Sequence, residues 1–280
     1  MKKARLEGRR DMVIDFHTHL FPDKIAEKTI QSLADRSGLS PFANGMAESL
    51  LEEMEEGHVD LSVVLPVVTR PEQFTTITRF ACEINERYGK GDYRLLSFGG
   101  IHPDSSNYKE ELRELKQLGF KGIKLHPDYQ GAYFNDMRYK HIVEEASKLD
   151  LIISVHAGVD VGFPDPVHCT PKMAQEVIKE VKPTKLVLAH LGGWKLWDEV
   201  EELLVHEPVW FDTAVAFGVC SDEQLKRIIV QHGADRILFA TDSPWSGQKE
   251  SIEHLGRLGL SKGEQEQILF GNAVRLLDME

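Results

Sequence analysis

The sequence predicts a closed (β/α)8 barrel, and three observations lead there. Eight short apolar, branched runs alternate with longer charged amphipathic runs along 280 residues. Most of the apolar runs are continuous rather than alternating, as parallel strands covered on both faces require. Most also end in a polar or charged residue, and a barrel brings such ends to one rim. An open doubly wound sheet is the competing architecture, and it has little need of eight such ends.

The strands fall at residues 13–16, 61–66, 94–99, 122–125, 151–155, 186–189, 209–212 and 237–240. Between them, apolar residues recur three or four apart, which predicts helices over 72–88, 108–118, 137–148, 172–181, 196–205 and 222–232. Leu112, Leu115 and Leu118 form one such stripe, and Leu225, Ile228 and Ile229 another. Asp222 and Glu223 at one helix start complement its dipole. Pro171 suits an early helical position, and Gly119 and Gly233 suit helix stops. The first connection, 21–56, is longer and predicts two extra helices, 23–36 and 43–56. Its middle, 37–42, is a loop placed to fold over the rim. Two further helical runs, 251–258 and 262–270, follow the eighth strand. No composition break or internal repeat divides the chain, so one barrel domain over 1–280 is expected.

Composition narrows the function classes. Apolar residues make up 41% and charged residues 28%, an ordinary soluble balance, and the net charge of −12 argues against a nucleic-acid or anionic-membrane partner. No apolar run approaches the roughly 20 residues of a membrane span. The basic start, Met1 to Arg10, has no apolar core of the kind a signal peptide carries. Cys82, Cys169 and Cys220 fit neither a disulfide framework nor a cysteine-rich zinc site, so a cytoplasmic location is expected. Cys220, at a loop-to-helix boundary, reads as an inert half-buried thiol rather than a reactive one. Gly99-Gly100 and Gly192-Gly193 give tight turns but no GxGxxG or Walker loop. GxSxG is absent.

The strand ends carry the chemistry. His17 and His19 close the first strand, and side chains two apart on a strand share a side. Two imidazoles at that spacing suit zinc or a related transition ion. His102 follows the third strand, Lys124 and His126 the fourth, His156 the fifth, His190 the sixth and Asp242 the eighth. A mononuclear site of His17, His19, His156 and Asp242 offers three imidazoles and a carboxylate, with an open position for a water whose pKa the ion lowers. Asp242 ligates the ion, accepts a proton from the water, or does both, and His190 is the candidate general acid or base. A lysine facing a barrel axis is costly unless paired or near water. Lys124 therefore holds a substrate carboxylate, bridges two metals as a carbamate, or pairs with an internal acid. His126 is open between ligand, substrate contact and support for a ligand. Phe42, Tyr129, Phe163, Trp194 and Trp245 are candidates to line the cavity, Trp245 as a substrate contact. Phe163 and Trp194 fit loop packing better.

The chain resembles the amidohydrolase superfamily, and within it the amidohydrolase-2 branch of metal-dependent hydrolases and decarboxylases. The matching residues are Asp15-Phe16-His17-Thr18-His19, Gly122-Ile123-Lys124-Leu125-His126-Pro127, Val155-His156, Ala189-His190-Leu191-Gly192-Gly193 and Thr241-Asp242-Ser243-Pro244-Trp245. Gly271-Asn272-Ala273 followed by Arg275-Leu276-Leu277 matches as well, so the likeness runs from Met12 to Leu277. It implies a distorted barrel with a divalent ion at its mouth, zinc first, with manganese or a second ion as alternatives. By that likeness His17, His19, His156 and Asp242 are ligands and His190 is the catalytic histidine, or itself a ligand in binuclear relatives. Decarboxylase members often keep a substrate-binding arginine after an early strand. Arg70 is the only counterpart and matches poorly, which ranks hydrolysis of an ester, lactone or amide above decarboxylation of an aromatic or enoic acid. A small-molecule substrate is expected, with Lys124, Arg70, His102 and Trp245 as candidate contacts, and the resemblance implies a homodimer.

Overall fold

A computed structural model describes residues 12–89 and 94–279, and the basic stretch 1–10 lies outside them. All strands run parallel. β1 (Ile14–Thr18), β2 (Leu61–Val64) and β3 (Leu95–Ser97) form one ladder. A second ladder comprises β4 (Gly99–Gly100), β5 (Gly122–Leu125), β6 (Ile152–Val155), β7 (Leu186–Leu188), β8 (Trp210–Asp212) and β9 (Ile237–Leu238). The expected third strand is therefore broken at Phe98. Its first half pairs with β2 and its second with β5. The ring closes where Phe16 N–H donates to the Phe239 carbonyl at 2.9 Å and Thr18 bridges Ser243 in parallel. The result is the eight-stave barrel that the alternation predicts.

Ten of the helices match the amphipathic runs. They are α1 (Asp23–Ser37), α2 (Ala47–Gly57), α3 (Phe74–Tyr88), α4 (Tyr108–Gln117), α6 (Met137–Lys148), α7 (Pro171–Val181), α8 (Trp197–Leu203), α9 (Asp222–His232), α10 (Gln248–Arg257) and α11 (Lys262–Glu266). The last continues into a π-helical turn, Gln267–Gly271, and then α12 (Asn272–Leu276). The helix missing from the sequence reading is the short α5 (Pro127–Gln130), which Pro127 starts directly after His126. Pro171 opens α7, where Thr170 caps the Met173 N–H, and Ser221 caps α9.

Two apolar layers hold this together. The inner one gathers Ile14, Phe16, Leu61, Val63, Leu65, Leu96, Phe98, Ile152, Val187, Leu238 and Ala240, from staves all round the ring, so it is the barrel interior. Ala273, Val274, Leu276 and Leu277 of the C-terminal helix plug its lower end. The outer layer joins the opposite strand faces, such as Ile123, Leu125, Ile153 and Val155, to Leu112, Leu115, Val177, Ile178, Ile228 and Ile229 of the helices. Gly158, at φ +90°, shows how tightly the upper loops cross: a Cβ there would sit 2.0 Å from the Trp194 nitrogen.

Asn272 ties the plug to the barrel. Its buried side-chain amide donates to the Ala234 and Ile237 carbonyls, both at 2.7 Å. Asn272→Ala removes both bonds, and the Ala234 carbonyl keeps only the Ile237 N–H. We expect a loss of about 2–3 kcal/mol in urea unfolding, with the mouth of the barrel unaffected.

Candidate metal centre

β1 turns its histidines inward by departing from simple alternation. Ile14 and Phe16 face the barrel interior, so the next residue would point out. The pairing register with β2 shifts between Asp15 and Thr18, and this irregularity re-aims His17. Asp15, fully buried, braces the turn. It accepts from Thr241 N–H at 3.1 Å, Thr241 Oγ1 at 2.5 Å and Gln248 Nε2 at 2.8 Å, and from the His17 N–H at 3.2 Å. Burial outweighs these donors and pushes its carboxyl up to about 7.

Each imidazole is fixed by its second nitrogen. His17 Nδ1 lies 2.9 Å from Asp212 Oδ2, and His19 Nδ1 2.9 Å from the Leu65 carbonyl. Both partners are acceptors, so each neutral ring carries its proton on Nδ1 and presents a bare Nε2 lone pair. Those two Nε2 atoms are 3.2 Å apart. Asp242 Oδ1 stands 3.1 Å from one and 2.9 Å from the other. Three acceptors thus converge on one point with no proton to share among them. Lys124 Nζ, 3.0 Å from His17 Nε2, is the cationic group that meets them. Such a donor set fits a divalent cation.

The electrostatics agree. Burial, and next Lys124, hold His17 well below the ordinary imidazole range, so it is neutral. Burial pushes Lys124 down to about 8, against the pull of Asp212 and Asp242.

Asp212, at the end of β8, organises the next layer. Beyond His17 Nδ1, its Oδ1 accepts the His190 N–H at 2.8 Å and the Ala214 N–H at 3.1 Å. His190 and Leu191 both hold left-handed backbones, φ +58° and +55°, and Asp242 does so at +65°. Such conformations cost about 1–3 kcal/mol each for residues other than glycine. They persist through backbone bonds: Leu191 N–H to the Asp212 carbonyl at 2.7 Å, Trp197 Nε1 to the His190 carbonyl at 3.1 Å, and Asp242 N–H to the His17 carbonyl at 2.8 Å. The His190 ring is set by Nδ1 at 3.0 Å from the Ala214 carbonyl, and its Nε2 lies 3.0 Å from His156 Nδ1.

The expected four-ligand set is therefore only partly assembled. His17, His19 and Asp242 meet, but His156 groups with His126 and Asp160 instead, because its Nδ1 faces His190. A cavity of about 480 Å³ opens above both groups. Its wall includes His17, His19, Lys124, His126, His156, His190, Asp242 and Trp245. Leu20, Ile25 and Leu33 from the α1 side, Ile77 and Phe80 of α3, and Leu65, Val159, Val161, Trp194 and Val215 supply apolar surface. Ser37 and Leu39 of the predicted covering loop reach it, and Tyr129 does too, whereas Phe42 is exposed and Phe163 packs edge-on to Tyr129.

Two expected substrate contacts are corrected. Arg70 is exposed and absent from the wall, because it caps the short helical turn Pro71–Gln73 through its backbone. His102 is buried but turned away, with Nδ1 taking the Asp104 N–H at 3.1 Å. Asp212 and Asp160 went unassigned in the sequence reading. Asp212 closes the seventh predicted strand, and that position was its signal. Burial pushes the Cys220 thiol up to about 11, in keeping with an inert group.

A family model described as amidohydrolase matches residues 14–279. The chain belongs to the amidohydrolase-2 family. As such it is a metal-dependent enzyme on a (β/α)8 barrel, and the trio at its mouth is suited to a divalent ion. Solved structures share the amidohydrolase fold at low identity. A 2,6-dihydroxybenzoate decarboxylase from Rhizobium superposes with TM-score 0.74 and 18% identity over 96% of this chain and 99% of that one. An uncharacterized barrel protein from Bordetella bronchiseptica gives 0.78 and 19%, over 95% and 98%. A 5-carboxyvanillate decarboxylase from Novosphingobium aromaticivorans, complexed with manganese and 4-hydroxy-3-methoxy-5-nitrobenzoic acid, gives 0.73 and 14%, over 97% of each. Comparison with curated protein sequences gives no match. Among the described residues no helix is long and apolar enough to cross a membrane.

Because Asp212 fixes the tautomer of His17 and the backbone of His190 together, its loss acts on the ion before the fold. Asp212→Asn is expected to weaken Mn²⁺ binding by about 10–100-fold in an equilibrium titration.

Proposed function

We propose that this amidohydrolase catalyses metal-dependent, non-oxidative decarboxylation of an aromatic acid of the hydroxybenzoate type. The observation that carries this reading is the division of the cavity. Its charged and imidazole groups lie together around His17, Lys124 and Asp242, while most of the remaining wall is apolar. A flat apolar ring bearing a carboxylate at one edge matches that division. The decarboxylases named among the structural relatives support the same choice over hydrolysis.

In this reading His17 Nε2, His19 Nε2 and Asp242 Oδ1 would hold the ion. When bound, it supplies Lewis acidity that grips the carboxylate and draws charge from the ring. Zinc follows from the donor types, and manganese from the relative that contains it. Lys124 Nζ pairs with the substrate carboxylate, and the apolar wall excludes water from the reacting carbon. As the bond from ring carbon to carboxylate breaks, its electron pair stays on the carbon. His190 Nε2 delivers the proton that forms the new C–H bond, and carbon dioxide leaves. Asp212, whose Oδ1 takes the His190 backbone N–H, positions that residue for the transfer. The three cysteines are unpaired, which supports a reducing, cytoplasmic setting.

Hydrolysis of an ester or lactone by the same donors is the second reading. What favours it is that Lys124 is the only lysine or arginine among the described residues of the wall. A coupled assay separates the two. Carbon dioxide release from 2-hydroxybenzoate-type acids supports decarboxylation, while turnover of lactones without it overturns that reading. His190→Asn should lower kcat by about 10²–10⁴-fold with little change in KM, and a chelator should abolish turnover.

Lys124 adds a pH signature. Its ammonium is present below about 8 and is lost above it. Affinity for a carboxylate substrate should therefore weaken as pH rises through 8, and Lys124→Met should flatten that limb of the KM profile.

A further inference from the structure

The cavity extends beyond the mouth of the barrel. His17, Lys124 and Asp242 stand at the mouth, yet the same wall includes Thr76, Ile77 and Phe80 of α3. α3 belongs to the outer ring, where its Ala81 and Ile84 join the layer between strands and helices. The cavity therefore runs from the strand ends outward, past the ring of strands, to an outer helix.

α1 roofs this path. It starts shortly after His19 and ends against the loop after β6, the fifth stave of the ring and so opposite β1. There the Arg36 guanidinium lies 4.8 Å from the Phe163 ring centroid. Ile25, Thr29, Leu33 and Ser37, spaced four apart along one side of the helix, all line the cavity. At a rise of about 1.5 Å per residue that stripe is about 18 Å long. A single ring with its carboxylate is shorter.

The stripe is kept clear of charge. α1 carries Asp23, Lys24, Glu27, Lys28, Asp35 and Arg36, and none of them is in the wall. α3 keeps Arg79 and Glu83 out of it in the same way. Nor does the stripe serve the core. In α1 only Ala26 and Ile30 are buried, while Ile25 is 50% exposed and Leu33 is half-buried. Apolar surface left partly in water, free of charge and continuous with a metal centre suits a ligand.

We propose that the arm between α1 and α3 binds an apolar chain of the substrate, which is then an aromatic acid extended by an alkyl or aryl group on the side of the ring away from its carboxylate. The acid headgroup rests on the decarboxylation reading, and the arm does not. With the carboxylate held at Lys124, the far edge of the ring faces the arm, where Leu33, Ile77 and Phe80 cover the chain.

Calorimetric titration of the Mn²⁺-loaded full chain with benzoate and its para-ethyl, para-butyl and para-hexyl derivatives tests this. Affinity should rise about 2–4-fold per methylene. Leu33→Asp, Ile77→Asp and Thr76→Trp should each remove most of that gain. The first two place a charge in the arm, and the third fills it from an exposed position that tolerates bulk. The gain is read as the ratio of hexyl derivative to benzoate within each protein, so a general loss of binding cancels, and a thermal melt checks each fold. A series with no gain in the wild type overturns the proposal. So does a gain that survives in all three variants, which marks nonspecific adsorption. A dimer that Leu33→Asp dissociates overturns it too, because a second copy then occupies the arm. Carbon dioxide is not read in the titration, so failure of the decarboxylation reading leaves the arm standing, and a flat series leaves that reading standing.

Discussion

Two bare nitrogen lone pairs and a carboxylate oxygen, held about 3 Å from one another with their backs fixed, are the constraint on which the mouth of this barrel depends. Acceptors at that separation repel in a medium of low polarisability, and burial denies them water. Protonating the His17 ring would relieve the conflict, but burial and the Lys124 ammonium keep it neutral. Lys124 enters on the His17 side and relieves part of it. A cation between the three atoms relieves all of it. The centre is thus assembled by the protein ahead of its ion, and the energy to assemble it comes from elsewhere in the fold.

That energy is traceable. The barrel interior below the mouth is filled with side chains such as Phe16, Val63, Phe98 and Leu238, capped by the C-terminal helix. This packed floor leaves the staves no freedom to splay the donors apart. Above it, the three left-handed residues His190, Leu191 and Asp242 are each bound into neighbouring strands. Strain sits at residues that face the cavity, His190 and Asp242 among them, and is opposed by hydrogen bonds to neighbouring elements. Asp212 is the link between these layers, since one carboxylate serves both a ligand ring and the backbone that aims His190.

Much of this was legible in the sequence. Continuous branched runs gave the staves, and their polar ends gave His17, His19, Lys124, His126, His156, His190 and Asp242 as residues of one rim. What periodicity does not encode is direction beyond the strand. The register shift that turns His17 inward leaves no mark in an alternation pattern. The break at Phe98, where one stave serves two ladders, is set by its neighbours rather than by its own residues. His156 was assigned from its place at a strand end, yet which of its nitrogens faces which partner depends on His190, 34 residues away in the chain. Arg70 and His102 were candidates by position alone, and local caps claim both. Asp160 lay in a loop, where no period points to it.

The ligands alone do not separate bond hydrolysis from loss of carbon dioxide, because both reactions need an ion that draws electrons and a group that moves one proton. The difference lies in what surrounds them. A hydrolase must admit water to the reacting carbon, whereas a decarboxylase must keep its carbanion-like carbon for a single proton donor. Trp194, Val215, Val159 and Leu65 line the cavity with largely apolar surface that offers water few partners. His190 has one nitrogen fixed on a carbonyl and the other toward His156, so its position relative to the cavity is set rather than mobile. An acid of defined position in a dry wall is better matched to protonating one carbon than to passing protons between water and a leaving group. The missing guanidinium is then no obstacle, since a buried lysine beside a cation can anchor a carboxylate in its place.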